Sequence, residues 1–142
     1  MAKGSQSNNA GVMAHSGGWV AVTDGTWAAL ASFVIPNEEH ECYFVQVNVR
    51  RQTLSLLLAI TLRARAVIDG ATNYFPSSNK DTCPQIITEG ITSKPGRGSV
   101  FLTVPRNLAG LTLFIDAYTE GGNSDNYICT IRSWGQTIHY HR

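Results

Sequence analysis

His139 and His141 flank Tyr140, so on a strand both imidazoles leave the same face, a spacing by which two histidines can share a metal ion. No carboxylate or cysteine neighbours them and only Arg142 follows, so solvated histidines are the preferred reading and no metal is expected. Glu120 to Asn126 gathers oxygen side chains around Gly121 and Gly122, the raw material of a calcium loop. The run lacks the Asp-x-Asp-x-Asp-Gly order and the distal Glu, and reads instead as a hairpin turn. Cys42, Cys83 and Cys129 form no Cys-x-x-Cys pair, which favours free thiols. There is no Gly-x-Ser-x-Gly, no phosphate-cradling loop and no His-Glu-x-x-His. The expectation is a protein that is not an enzyme and carries no cofactor.

The aromatics say more. Tyr74 and Phe75 fall in the long turn-former-rich stretch Gly70 to Lys80, where an exposed pair suits sugar stacking or protein docking. They are the candidate partner- or glycan-binding residues, joined by Val12 and Met13, the apolar anchors of an otherwise Gly-, Ser- and Asn-rich start. Trp19, Trp27 and Trp134 sit in strand patterns, so at least two are expected in the core.

The clearest element that could position such residues is Leu54 to Ile68. Every even position is apolar (Leu54, Leu56, Leu58, Ile60, Leu62, Ala64, Ala66, Ile68), while Ser55, Thr61, Arg63 and Arg65 take odd ones. Side chains alternate faces along a strand, so this is a core wall with both arginines pointing away, expected as solvated gatekeepers. Similar signals recur at 19–22, 27–35, 42–49, 85–92, 99–104, 111–118, 127–134 and 137–140, separated by turn formers. Trp27, Ala29, Ala31, Phe33 and Ile35 are expected to share one face, and Arg50 to Thr53 to turn the chain. The expected fold is all-β: an antiparallel β-sandwich, jelly-roll-like, of eight or nine strands. Residues 1–18 are expected as a flexible N-terminal arm and 19–142 as a single sandwich domain.

Net charge is +1, from 11 Lys and Arg against 10 Asp and Glu, which gives no reason to expect nucleic acid or a membrane as partner. Ser, Thr, Asn and Gln together outnumber the charged residues, as in β-rich proteins that present surfaces to something else. The start of the chain has no apolar core of a secretory signal, so synthesis in a cytoplasm without general export is expected.

The stretch 110–132, Gly-Leu-Thr-Leu-Phe-Ile-Asp-Ala-Tyr-Thr-Glu-Gly-Gly-Asn-Ser-Asp-Asn-Tyr-Ile-Cys-Thr-Ile-Arg, resembles the closing strands of carbohydrate-binding jelly rolls. The whole layout also resembles small β-sandwich virion proteins of tailed bacteriophages, such as capsid decoration proteins and fibre heads. That resemblance implies a non-enzymatic virion structural protein, a capsid decoration or cement protein. It would be made in the host cytoplasm, contact the major capsid protein or another virion protein, and form a homo-oligomer, a trimer by analogy. The alternative is a carbohydrate- or receptor-binding module with a glycan as partner. Leu57, Ala59 and Val67, apolar on the second face of the long strand, favour self-association on physical grounds alone.

Overall fold

The computed structural model describes residues 5–7, 12–54, 57–89 and 95–138. In chain order its strands are β1 (Ser5–Ser7), β2 (Val12–His15), β3 (Val20–Val22), β4 (Ala28–Val34), β5 (Cys42–Leu54) and β6 (Leu57–Ile68). They continue as β7 (Ala71–Phe75), β8 (Gln85–Glu89), β9 (Pro95–Val104), β10 (Thr112–Tyr118) and β11 (Asp125–Ile138). One three-residue 3-10 turn, Lys80–Thr82, interrupts them.

Alternation is the cause of the architecture. Ile60, Leu62, Ala64 and Ala66 are fully buried along β6, and Tyr43, Val45, Val47 and Val49 along β5. Each strand can hide such a row only against another sheet, so the chain forms two antiparallel sheets closing on one core. Sheet A runs β11-β5-β9, and the free edge of β11 pairs in turn with β3, β2 and β1. Sheet B runs β4-β10-β6-β7, with β8 also on β6. From β3 to β6 and from β8 to β11 each successive strand changes sheet, the weave of a jelly roll. The all-β antiparallel sandwich is therefore the fold of this chain. Two short strands fall within residues 1–18 and lie along β11.

Several local expectations differ. Arg50 to Thr53 does not turn but continues β5, because Arg51 is held on Asp125 of β11 at 2.6 Å and β9 accommodates the extra length by a register shift. The turn-former-rich stretch after Ile68, expected as a long loop, opens instead as a hairpin. Asp69 and Gly70 take φ of 51° and 81°, the paired positive values of a type I′ turn, and β7 returns along β6. The signals at 127–134 and 137–140 join into β11, whose described part ends at Ile138. On β4 the expected common face is broken: a bulge opposite Ile115 and Asp116 changes phase, so Leu30 and Ile35 are buried while Ala31 and Phe33 are half-buried. None of the three tryptophans joins the core; Trp19 is exposed, and Trp27 and Trp134 are half-buried. All three cysteines are free.

Gly135 shows how tightly one end of the core is closed. It lies on the inner side of β11 opposite Tyr43, and a Cβ there would overlap the His40 ring, which meets Tyr43 edge-on at 5.9 Å. Gly135→Ala is expected to cost about 1–3 kcal/mol, since the imidazole must leave its seat. Urea denaturation measures the loss, and a variant as stable as the parent contradicts this packing.

Candidate functional site

On the outer face of sheet B, Arg63 and Arg65 project from β6 and Asp116 from β10, in the register Asp116↔Arg63 and Phe114↔Arg65. Asp116 Oδ2 accepts from Arg63 Nε at 3.0 Å and from Arg65 Nε at 2.9 Å, and Oδ1 accepts from Arg65 Nη2 at 3.1 Å. The two arginines expected in solvent are therefore ion-paired. Arg63 is 8% exposed and Asp116 2%, although they lie on the side of the sheet away from the core.

Aromatic rings account for that burial. The Arg63 guanidinium lies 3.9 Å from the Trp27 ring centroid and 4.2 Å from that of Tyr74. Arg65 lies 4.2 Å from Phe114. Trp27 in turn meets Tyr118 at 5.3 Å with 49° between the ring planes. Contacts of this kind add attraction once the cation is shielded from water. The 76–84 loop closes over the same end, with Arg63 Nη1 donating to the Ser78 carbonyl at 3.3 Å. The result is a platform of four half-buried rings, Trp27, Tyr118, Tyr74 and Phe114, held in place by an Arg–Asp–Arg network beneath them.

A polar pocket of about 150 Å³ adjoins the Tyr118 end, lined by Thr61, Lys80, Asp81, Cys83, Gln85 and Glu120. Lys80 Nζ donates to Asp81 at 3.0 Å and Glu120 at 3.3 Å and lies 5.7 Å from the Tyr118 ring. Hydrogen bonds to these two carboxylates raise the Lys80 pKa, so the ammonium stays charged beside the platform.

The expected binding residues are divided by this geometry. Tyr74 stands on the platform, but through β7 and not as a loop tip. Phe75, one residue on, faces inward, is 7% exposed and belongs to the core, so it offers no surface to a ligand. Met13 is 53% exposed on the other sheet, opposite Arg132, and Val12 lies in β2 opposite Ser133. The residues that reasoning from sequence passed over as a site are Trp27, Phe114, Tyr118 and Asp116. The available signal was an Asp in the otherwise largely apolar strand pattern of 111–118.

The Glu120 to Asn126 oxygens are taken by protein donors: Glu120 accepts from Lys80, and Asp125 from Arg51 and Thr53. Asp24 accepts from the N–H groups of Gly122 and Asn123 at 2.7 and 3.1 Å and from Thr119 Oγ1 at 3.1 Å, and Asn123 accepts from Arg51. Among the described residues no group of three or more His, Cys, Asp or Glu is placed to hold a metal ion; His139 and His141 lie outside them.

Asp125 anchors this end of the sandwich. Burial alone would raise its pKa, but hydrogen bonds from Arg51, the Asn126 N–H and Thr53 outweigh it and hold the carboxyl below its ordinary 3.8. A depressed acid contributes stability above its unfolded value and loses it as the pH falls through the folded one. Melting temperature is thus expected to fall on acidification from about pH 5 to about pH 2, less steeply in Asp125→Asn. Parallel acid limbs for parent and variant contradict that assignment.

No family model matches the chain, and no curated protein matches it in sequence. It is similar in structure to the N-terminal cellulose-binding domain of a β-1,4-glucanase from Cellulomonas fimi, with 13% identity over 88% of this chain and 91% of that one, TM-score 0.37. It is also similar to a family 11 carbohydrate-binding module from Clostridium thermocellum in complex with a β-1,3-1,4-mixed-linked tetrasaccharide, with 6% identity, 96% and 90% coverage, TM-score 0.40. A third likeness, to infectious bursal disease virus, has 9% identity, 94% and 40% coverage and a TM-score of 0.26.

Proposed function

We propose that the protein binds carbohydrate through the outer face of sheet B, as a non-catalytic module. The observation that supports this is the ring platform: Trp27, Tyr118, Tyr74 and Phe114, half-buried, on one sheet face and pinned by buried charges. Pyranose rings carry apolar C–H faces that settle on fixed aromatic surfaces, while their hydroxyls need polar partners at the edge. Thr61, Gln85, Lys80 and Glu120 line that edge. Asp116 already accepts three hydrogen bonds from two arginines, which suits it to positioning and not to acid catalysis. Affinity electrophoresis against soluble β-glucans, xylan, mannan and a host-surface polysaccharide tests the reading. Retardation by at least one of them is expected, and unchanged mobility in all of them contradicts it.

A second reading is favoured by the outer face of sheet A, where Phe44 is 40% exposed, Phe101 65% and Met13 53%. Such apolar exposure suits attachment to another virion protein or to further copies of this chain, as a trimer. Mass spectrometry of purified particles and light scattering test it. Absence from virions together with a 15.4 kDa monomer in solution removes it.

A further inference from the structure

The outer face of sheet A carries a second constellation. Its outward positions on β5, β9 and β11 include Arg50, Arg97 and Arg132, and among the described residues of those strands no outward position is Asp or Glu. Elsewhere in the molecule Arg51, Arg63 and Arg65 are each paired with an aspartate. Arg50 and Arg97, by contrast, stand directly opposite one another across β5 and β9. Like charges in that position repel and weaken a sheet. Neither has a carboxylate partner among the described residues, and Arg50 instead lies 5.3 Å from the Trp19 ring.

These two guanidiniums border a cleft of about 610 Å³, lined also by Ile128, Asn48, Ser99 and Thr130. Asn48, Ser99 and Thr130 form the next outward row, beside the Ile128–Arg50–Arg97 row. Guanidinium forks match carboxylate and sulfate oxygens two at a time, and an anion between them relieves their mutual repulsion. We propose that this cleft takes an acidic substituent of a carbohydrate chain, a uronate carboxylate or a sulfate ester. Arg50 and Arg97 clamp the anion, the Trp19 ring backs the Arg50 guanidinium, and Asn48, Ser99 and Thr130 meet the adjoining sugar hydroxyls.

A nucleic acid fits less well, because its binders neutralise many phosphates along a basic track. Here only two arginines meet, and Arg132 lies opposite Gln46, four residues or about 13 Å along β5 from Arg50. The site lies on the opposite face from the ring platform and does not depend on it, so either can fail alone.

The test is isothermal titration of the full chain with a polygalacturonate oligosaccharide, a heparin-derived oligosaccharide and a single-stranded DNA oligomer, at about 50 mM salt and again at high salt. Compared are the parent, Arg50→Gln/Arg97→Gln, and Arg106→Gln, whose arginine is exposed and donates to Asn73. Expected is salt-sensitive binding of at least one acidic oligosaccharide, weakened roughly tenfold or more in the double variant and unchanged in Arg106→Gln. The double variant should melt no lower than the parent, since a repulsive pair has gone. The proposal is overturned by no binding of either acidic oligosaccharide or by binding indifferent to the double replacement. DNA bound more tightly through the same two arginines also overturns it.

Discussion

Asp116→Ala is expected to lose about 3–5 kcal/mol of stability, because it strands the buried guanidinium of Arg63 without a counter-charge. Arg65 is half-buried and can turn toward water; Arg63, under Trp27 and Tyr74, cannot. The informative companion is the triple variant Arg63→Met/Arg65→Met/Asp116→Leu. Replacing a whole buried ionic cluster by apolar side chains is often neutral or stabilising. The triple variant should therefore regain most of the loss, yet bind glycan poorly, because nothing then orients Trp27 and Tyr74. Urea denaturation and affinity electrophoresis, run on both variants, separate the two effects. If Asp116→Ala unfolds at the parental urea concentration, the network does not support the fold or the rings above it.

Trp27→Ala and Tyr118→Ala should each weaken glycan binding by about 1–3 kcal/mol, roughly fivefold to 150-fold, and together should abolish it. The loss is not expected to be additive, since the two rings meet at 5.3 Å and each holds the other's position. Phe75→Leu is the contrasting control. It alters the core behind β7 and should change melting temperature while leaving affinity nearly untouched. An affinity unchanged in the Trp27/Tyr118 double variant would remove the platform from the account.

The even-position alternation in 54–68 was enough to read the sandwich and which side of β6 is core, because period-two burial is a local property of the chain. The fate of the odd positions was not legible. Whether Arg63 meets solvent or Asp116 depends on β10 lying beside β6 in one register, a contact separated by 53 residues. Phe75 was misplaced for a different reason. Asn73, Pro76 and Ser77 read as loop, while the decisive signal was the Asp69-Gly70 hairpin that makes 71–75 a strand and turns Phe75 inward. The Trp27 face was lost to the β4 bulge, since one extra residue reverses every side chain on one side of it.

The most direct test uses the three tryptophans, because Trp27 lies on the ring platform while Trp19 and Trp134 belong to the sheet A side. Their indole N–H signals, assigned by single replacement, are followed in a proton–nitrogen NMR titration with the polysaccharide fragment that retards the protein most. With a neutral fragment, which the Arg50–Arg97 cleft has no reason to take, the Trp27 signal is expected to move and saturate with ligand while those of Trp19 and Trp134 stay fixed. Movement of Trp19 or Trp134 with Trp27 silent contradicts that expectation.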